Sequence, residues 1–171
     1  AVADAMPPNP NPMSWAQAPL AQGKNSIAMT AVTAYDDSGI VEYQFKCLSG
    51  GTGCVNSAWQ ASPAYTISGL AAGASYSFSV TARDASGNIT QASATASATT
   101  LANQTPVAAS DSASVSEDNS VAIAVLANDS DPDNDPLAIT GFTVSGVPLI
   151  AIGSRKQLRS AATLQVPQSL P

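Results

Sequence analysis

Histidine is absent from this chain, and charged and aromatic residues are scarce, at 11% and 5% of the total. Without imidazole, neither a Ser-His-Asp triad nor a histidine-bound zinc can be built. Lys and Arg number 6 against 12 Asp and Glu, for a net charge of −6. The basic face that nucleic-acid binding requires is therefore missing. No apolar run approaches the ~18 residues of a membrane-spanning helix, and no Gly-rich phosphate cradle occurs. Paired carboxylates can cleave glycosides. Here, however, Glu42 alternates onto the outer face of a strand, and Asp129 to Asp135 share a turn with metal-type spacing. The chain reads as non-catalytic.

What is present suits β-structure. The 171 residues have room for one or two domains, with 44% hydrophobic content dominated by small and β-branched types. Ser26–Tyr35 is rich in β-branched residues and ends at the turn 36–39. In Ile40–Cys47, Val41, Tyr43 and Phe45 alternate with Glu42, Gln44 and Lys46, and in Ser75–Ala82, Tyr76, Phe78, Val80 and Ala82 fall on one face. This period of two predicts half-buried strands. Ser57–Gln60, Ala64–Ile67 and 88–99 are further strand candidates. Six or seven short strands in under ninety residues predict a β-sandwich.

The opening stretch shows no leader peptide. Pro7, Pro8, Pro10 and Pro12 favour an extended spacer over residues 1–12, as in an interdomain linker. Cys47 and Cys54 flank a Gly-rich turn and can close a small disulfide loop. The alternative is two unlinked thiols, and a metal site would need further soft ligands.

Asp37–Phe45, Ser57–Trp59 and Gly69–Asp84 resemble bacterial fibronectin type III modules. The resemblance spans roughly residues 10–100 and implies an Ig-like domain over 13–100, with Tyr76 as the core aromatic of the corner before the penultimate strand. Ala72 and Ala74 stand where that family commonly has proline and threonine, which implies a less rigid corner. Modules of this kind mostly space and display other domains, and some bind ligands through their loops.

The most informative feature is a run of acids at every second position: Asp129, Asp131, Asp133 and Asp135. Like charges at this density repel, whereas a hard divalent cation takes six to eight oxygen ligands. Calcium fits better than magnesium, which keeps its water. An EF-hand does not fit, because Asn134 stands at the sixth loop position and Thr140 at the twelfth. A solvated turn is the plainer alternative, since Asp, Asn and Pro all favour turns.

After a linker at 101–106, residues 103–144 resemble bacterial cadherin-like repeats of large adhesins. Pro106–Asp111, Glu117-Asp118 and the Asn128–Asp135 loop carry the likeness. It implies calcium at Glu117, Asp131, Asp133 and Asp135, with Asp129 and Asp118 as further candidates. It also implies strands with Val121, Ile123, Val125, Leu137 and Ile139 inward. Only a partial domain is expected, over 107–149, followed by an irregular tail at 150–171 that holds three of the six basic residues.

Together these readings predict an all-β chain: a fibronectin type III-like sandwich, then a partial cadherin-like one. The expected role is a calcium-stiffened spacer or adhesion segment of a secreted or surface bacterial protein, with calcium and a cell-surface protein or glycan as partners. The alternative is a carbohydrate-binding accessory module of an extracellular hydrolase, using Trp15 and Trp59 as a stacking platform; core packing is the plainer role for both. Asp36, Asp37 and Asp84 read as turn caps, with a second ion between their loops as the alternative.

Overall fold

The computed structural model describes residues 4–37, 39–113, 122–139, 142–146 and 160–164, the last two stretches as backbone. The chain divides into two compact units, Ala1–Asn103 and Gln104–Pro171.

In the first unit β1 (Trp15–Gly23), β2 (Ser26–Ala31) and β4 (Ala64–Ser68) form one three-stranded sheet in the order β1-β2-β4. The other sheet contains β3 (Val41–Ser49), β5 (Ser75–Asp84) and β6 (Ala96–Thr99), in the order β3-β5-β6. All pairings are antiparallel. This split, with consecutive strands crossing between sheets, is that of an Ig-like β-sandwich. The alternation read from sequence sets the core. Ile27, Met29 and Ala31 of β2 and Ile67 of β4 meet Tyr43 and Phe45 of β3 and Tyr76, Phe78, Val80 and Ala82 of β5. Trp15 and Tyr65 extend the core at one end, with ring centroids 6.2 and 5.2 Å from Phe45.

Tyr76 opens β5 and fixes a corner. Its hydroxyl accepts the Ala71 N–H at 2.8 Å and donates to the Thr52 carbonyl at 2.7 Å. Thr52 lies in the loop closed by the Cys47–Cys54 disulfide. That loop sits on the tyrosine so closely that a Cβ at Gly50 would stand 2.1 Å from the Tyr76 ring. A short disulfide-closed loop and a corner hydroxyl thus brace each other. The alanines at 72 and 74 leave this corner intact.

Two segments expected as strands join the second sheet differently. Ser57 N–H donates to the Phe45 carbonyl, and Phe45 N–H donates to the Ser57 hydroxyl, both at 2.9 Å. Thr90 does the same with Ala82 (2.9 and 2.9 Å) and Ser93 with Val80 (2.9 and 3.1 Å). In each case a side-chain oxygen stands where a ladder carbonyl would be. Residues 57–60 and 88–95 therefore flank β3 and β5 without forming regular strands.

The proline-rich opening is not a free spacer. Pro8 is fully buried and Met13 belongs to the core. Asn9 bridges Tyr35 in both directions, and Gln91 N–H donates to Asn11 Oδ1 at 2.7 Å. Burial of Pro8 and Met13 holds this stretch against the sandwich, an outcome that proline content does not register.

In the second unit, β7 (Phe142–Gly146) pairs antiparallel with β8 (Ser160–Leu164). The strand β8 falls inside the stretch expected as an irregular tail, because its partner precedes it by a connection too long for the alternation to reveal. Expected strands around Ile123, Val125, Leu137 and Ile139 are not present: residues 122–124 and 136–139 are irregular, and 125–128 form a turn. Ile123 and Ile139 are exposed. Val121 lies outside the described residues.

Removing one bridging hydroxyl strands a buried N–H, which costs about 1–3 kcal/mol. Ser93→Ala and Ser57→Ala are each expected to lower unfolding free energy by about that amount in urea titrations. Exposed Ser68→Ala should be near neutral. Equal stability of all three would show that water replaces the hydroxyls. Reduction-proof Cys47→Ser/Cys54→Ser should lose about 2–3 kcal/mol by the loop-entropy estimate.

Candidate functional site

The acidic loop is built from turn chemistry. Asn134 N–H donates to the Asp131 carbonyl at 3.1 Å, closing a turn with Asp at its first position and Pro132 at its second, where each is favoured. Asn134 then takes the left-handed conformation, φ 58°, which asparagine tolerates better than most residues. The Asp131 side chain closes the loop from within. Its Oδ1 accepts the N–H groups of Asp133 at 2.8 Å and Asp135 at 3.1 Å.

The result is convergence. Asp131, Asp133 and Asp135 each bring a carboxylate oxygen within 4.8 Å of the others. Asp131 is about nine-tenths buried, at 9% exposure, and its Oδ2 is buried with no hydrogen-bond partner. A buried, unpaired carboxylate oxygen is costly. The sequence from Asp84 to Ser154 contains no Lys or Arg. The donors are all hard oxygens, the set that suits Ca²⁺ or Mg²⁺ rather than zinc. These three residues fit a hard divalent cation.

Asp129, grouped with the others by spacing, faces elsewhere. Its Oδ1 accepts the Ala109 N–H at 2.8 Å, so it ties the loop to the segment whose Val107 bridges Ser130 in both directions. Its Oδ2 is buried without a partner. Asp111 shares that condition at its own Oδ2 and was not expected as a site residue, because no acidic neighbour at short spacing marks it. Glu117 and Asp118 lie outside the described residues.

A second acidic cluster lies in the first unit: Asp4, Asp36 and Asp84. Here hydrogen bonds engage both oxygens of Asp84 and one of Asp4. Asp84 Oδ1 accepts Asn88 N–H at 2.8 Å, Oδ2 accepts Asn88 Nδ2 at 2.7 Å, and Asp4 Oδ1 accepts Met6 N–H at 3.0 Å. Burial opposes charge on Asp84, but donors from the Asn88 side chain and the Asn88, Gly87 and Ser86 backbone outweigh it and hold the carboxyl below its ordinary value.

Both tryptophans are engaged. Trp15 Nε1 donates to the Ala94 carbonyl at 2.9 Å while its ring packs toward Phe45. Trp59 carries the Arg83 guanidinium 4.5 Å above its ring, and Arg83 is held there by Glu42 at 2.6 Å.

Residues 103–163 match the family model of the bacterial Ig domain. The match begins at the unit boundary and extends into β8. A solved structure, the solution structure of the fibronectin type-III domain of human fibronectin type III domain containing protein 3, is 18% identical. The alignment covers 60% of this chain and 91% of that one, with a TM-score of 0.40. No curated protein matches. The first unit's own strand order and tyrosine corner carry its assignment to the β-sandwich class. No helix among the described residues is long and apolar enough to cross a membrane.

A carboxyl held below its ordinary value in the folded state stabilises that state above the unfolded pKa of about 3.9, and the contribution fades as pH falls through the lower folded value. The stability gap between wild type and Asp84→Asn should therefore be full at pH 6–7 and shrink below about pH 4. Urea titrations across pH 2.5–7 test this, and a gap independent of pH would show that Asp84 acts only through shape.

Proposed function

We propose that this chain is a non-catalytic spacer and adhesion segment of a larger secreted or surface-anchored bacterial protein, stiffened by calcium in its second module. The observation that carries the reading is the convergence of Asp131, Asp133 and Asp135 with a buried, partnerless oxygen on Asp131. The bacterial Ig likeness of residues 103–163 supports an extracellular setting, as does the Cys47–Cys54 disulfide, since such bonds persist in oxidising compartments. A cadherin-like repeat is the finer reading of the same segment, with Glu117 and Asp129 as further ligands of the ion. The ion balances the charge of the converged carboxylates and joins the two ends of their loop. A cell-surface protein or glycan is the partner class this role implies.

No observation favours the carbohydrate-binding alternative over this reading. One face of Trp59 is covered by Arg83 and Trp15 is spent on the core.

A ligand that binds only the folded form at a hundred times its Kd adds about 2.7 kcal/mol. The second module should therefore melt higher in millimolar calcium than in EDTA, with a smaller shift in magnesium. Asp131→Ala/Asp133→Ala should abolish the calcium shift. Wild-type curves that coincide with and without calcium would remove the reading.

A further inference from the structure

We infer that a second copy of this chain pairs with the open edge of β4, joining two three-stranded sheets into one across a two-fold axis. The inference goes beyond the calcium reading and does not depend on the ion.

The other edges of the first unit are covered. Along β3, Gln60 exchanges backbone hydrogen bonds with Tyr43 at 2.7 and 3.0 Å, and Cys47 N–H donates to Asn56 Oδ1 at 3.0 Å. The β1 edge meets the far side of the second sheet: Leu101 N–H donates to the Gly23 carbonyl and Met13 N–H to the Gln91 carbonyl, both at 3.1 Å. The strand β4 is the last of its sheet. Ala31 N–H donates to the Pro63 carbonyl at 2.9 Å. Residues 63, 65 and 67 therefore turn their backbone groups to β2, and residues 64, 66 and 68 turn theirs outward. Ala64 is provided for locally, since its N–H donates to Ser62 Oγ at 3.1 Å and its carbonyl accepts Gln60 Nε2 at 2.8 Å. Thr66 and Ser68 are exposed, and among the described residues no strand lies beyond them. Their N–H and C=O groups form the open edge.

Natural edges are commonly blunted by charge, proline or a bulge. Within its span β4 has none of these. Its register with β2 is unbroken from Ser26↔Ser68 to Thr30↔Ala64, and no charged residue occurs between Lys46 and Arg83.

Symmetry and charge identify the occupant. The two open residues lie on either side of Ile67. A copy turned about a two-fold axis at Ile67 runs antiparallel and sets its Ser68 opposite Thr66 and its Thr66 opposite Ser68. Each open N–H then meets an open C=O, and no group is left over. A chain of net charge −6 repels its own copy, and the repulsion is weakest along this uncharged stretch. The disulfide loop abuts the end of β4, where a Cβ on Gly53 would stand 2.4 Å from the Gly69 carbonyl oxygen. Leu48 and Val55, which flank that disulfide, are exposed and add apolar surface. Strands of 5 residues bury less than the about 800 Å² per partner of stable complexes, so the dimer is concentration-dependent.

The test uses the full chain in EDTA, with mass followed by analytical ultracentrifugation from millimolar to micromolar protein. Wild type should pass from dimer to monomer on dilution. Thr66→Lys/Ser68→Lys sets lysine opposite lysine across the axis, and Thr66→Glu/Ser68→Glu sets glutamate opposite glutamate. Each should raise the dissociation constant about tenfold or more, with melting of the monomer unchanged because both positions are exposed. An equimolar mixture of the two variants should associate again, since each lysine then faces a glutamate. Wild type that stays monomeric throughout, variants that dimerise as wild type does, or a mixture no tighter than either variant alone would overturn the inference. The calcium reading is judged by its own melting shift and is untouched by any of these outcomes.

Discussion

The first unit depends on satisfying the backbone of β5 on both sides. This strand is the centre of its sheet, and residues 78–82 are buried without interruption, so an unpaired amide there has no water to turn to. On one edge β3 supplies a regular ladder from Val41↔Asp84 to Cys47↔Phe78. On the other, β6 covers only Ser75–Phe78. Beyond that point Thr90 and Ser93 complete the pairing with their hydroxyls. The cost of a buried amide without a partner exceeds the net gain of most single hydrogen bonds. Small hydroxyl residues at these two positions are therefore structural requirements, although by composition they look like loop filler.

A chain poor in charge and aromatics can build a sandwich this way. Serine and threonine supply acceptors at little side-chain volume, and the few aromatics are concentrated where they fill most space. Phe45 meets both Trp15 and Tyr65, while Tyr76 holds the corner under the disulfide loop. Among the described residues the buried hydrophobic core runs from Met13 to Ala82, with Pro8 buried beside it. The described part of the second unit has the opposite character. There Asp111, Asp129 and Asp131 each bury an Oδ2 that has no hydrogen-bond donor.

Strand positions were legible wherever side chains alternate, because burial on one face of a sheet imposes a period of two. Tyr43, Phe45, Tyr76, Phe78 and Val80 are buried as their spacing requires. Alternation failed for Ile123 and Ile139, since a periodic pattern shows which face could be buried and not what covers it. The Asp run announced a group of close carboxylates but not its membership. A spacing of two suggests four equivalent acids, whereas the Pro132 turn and the left-handed Asn134 gather only Asp131, Asp133 and Asp135. Asp129 precedes that turn and is drawn to Ala109. The proline-rich opening was misread for a related reason: proline content reports stiffness, while Pro8 and Met13 are placed by burial. Asp111 had no signal at all, being a single acid whose surroundings come from residues distant in sequence.

The two acidic clusters make the same point in chemical terms. Asp4, Asp36 and Asp84 are as close to one another as Asp131, Asp133 and Asp135, so proximity alone cannot separate a structural turn from an ion site. The difference lies in the donors. Both Asp84 oxygens accept hydrogen bonds from Asn88, which favour the charged form without any metal. At Asp131 both donors converge on Oδ1, and Oδ2 is left buried with none. Asp84 uses its whole carboxylate to hold a turn, whereas Asp131 holds its turn with one oxygen alone.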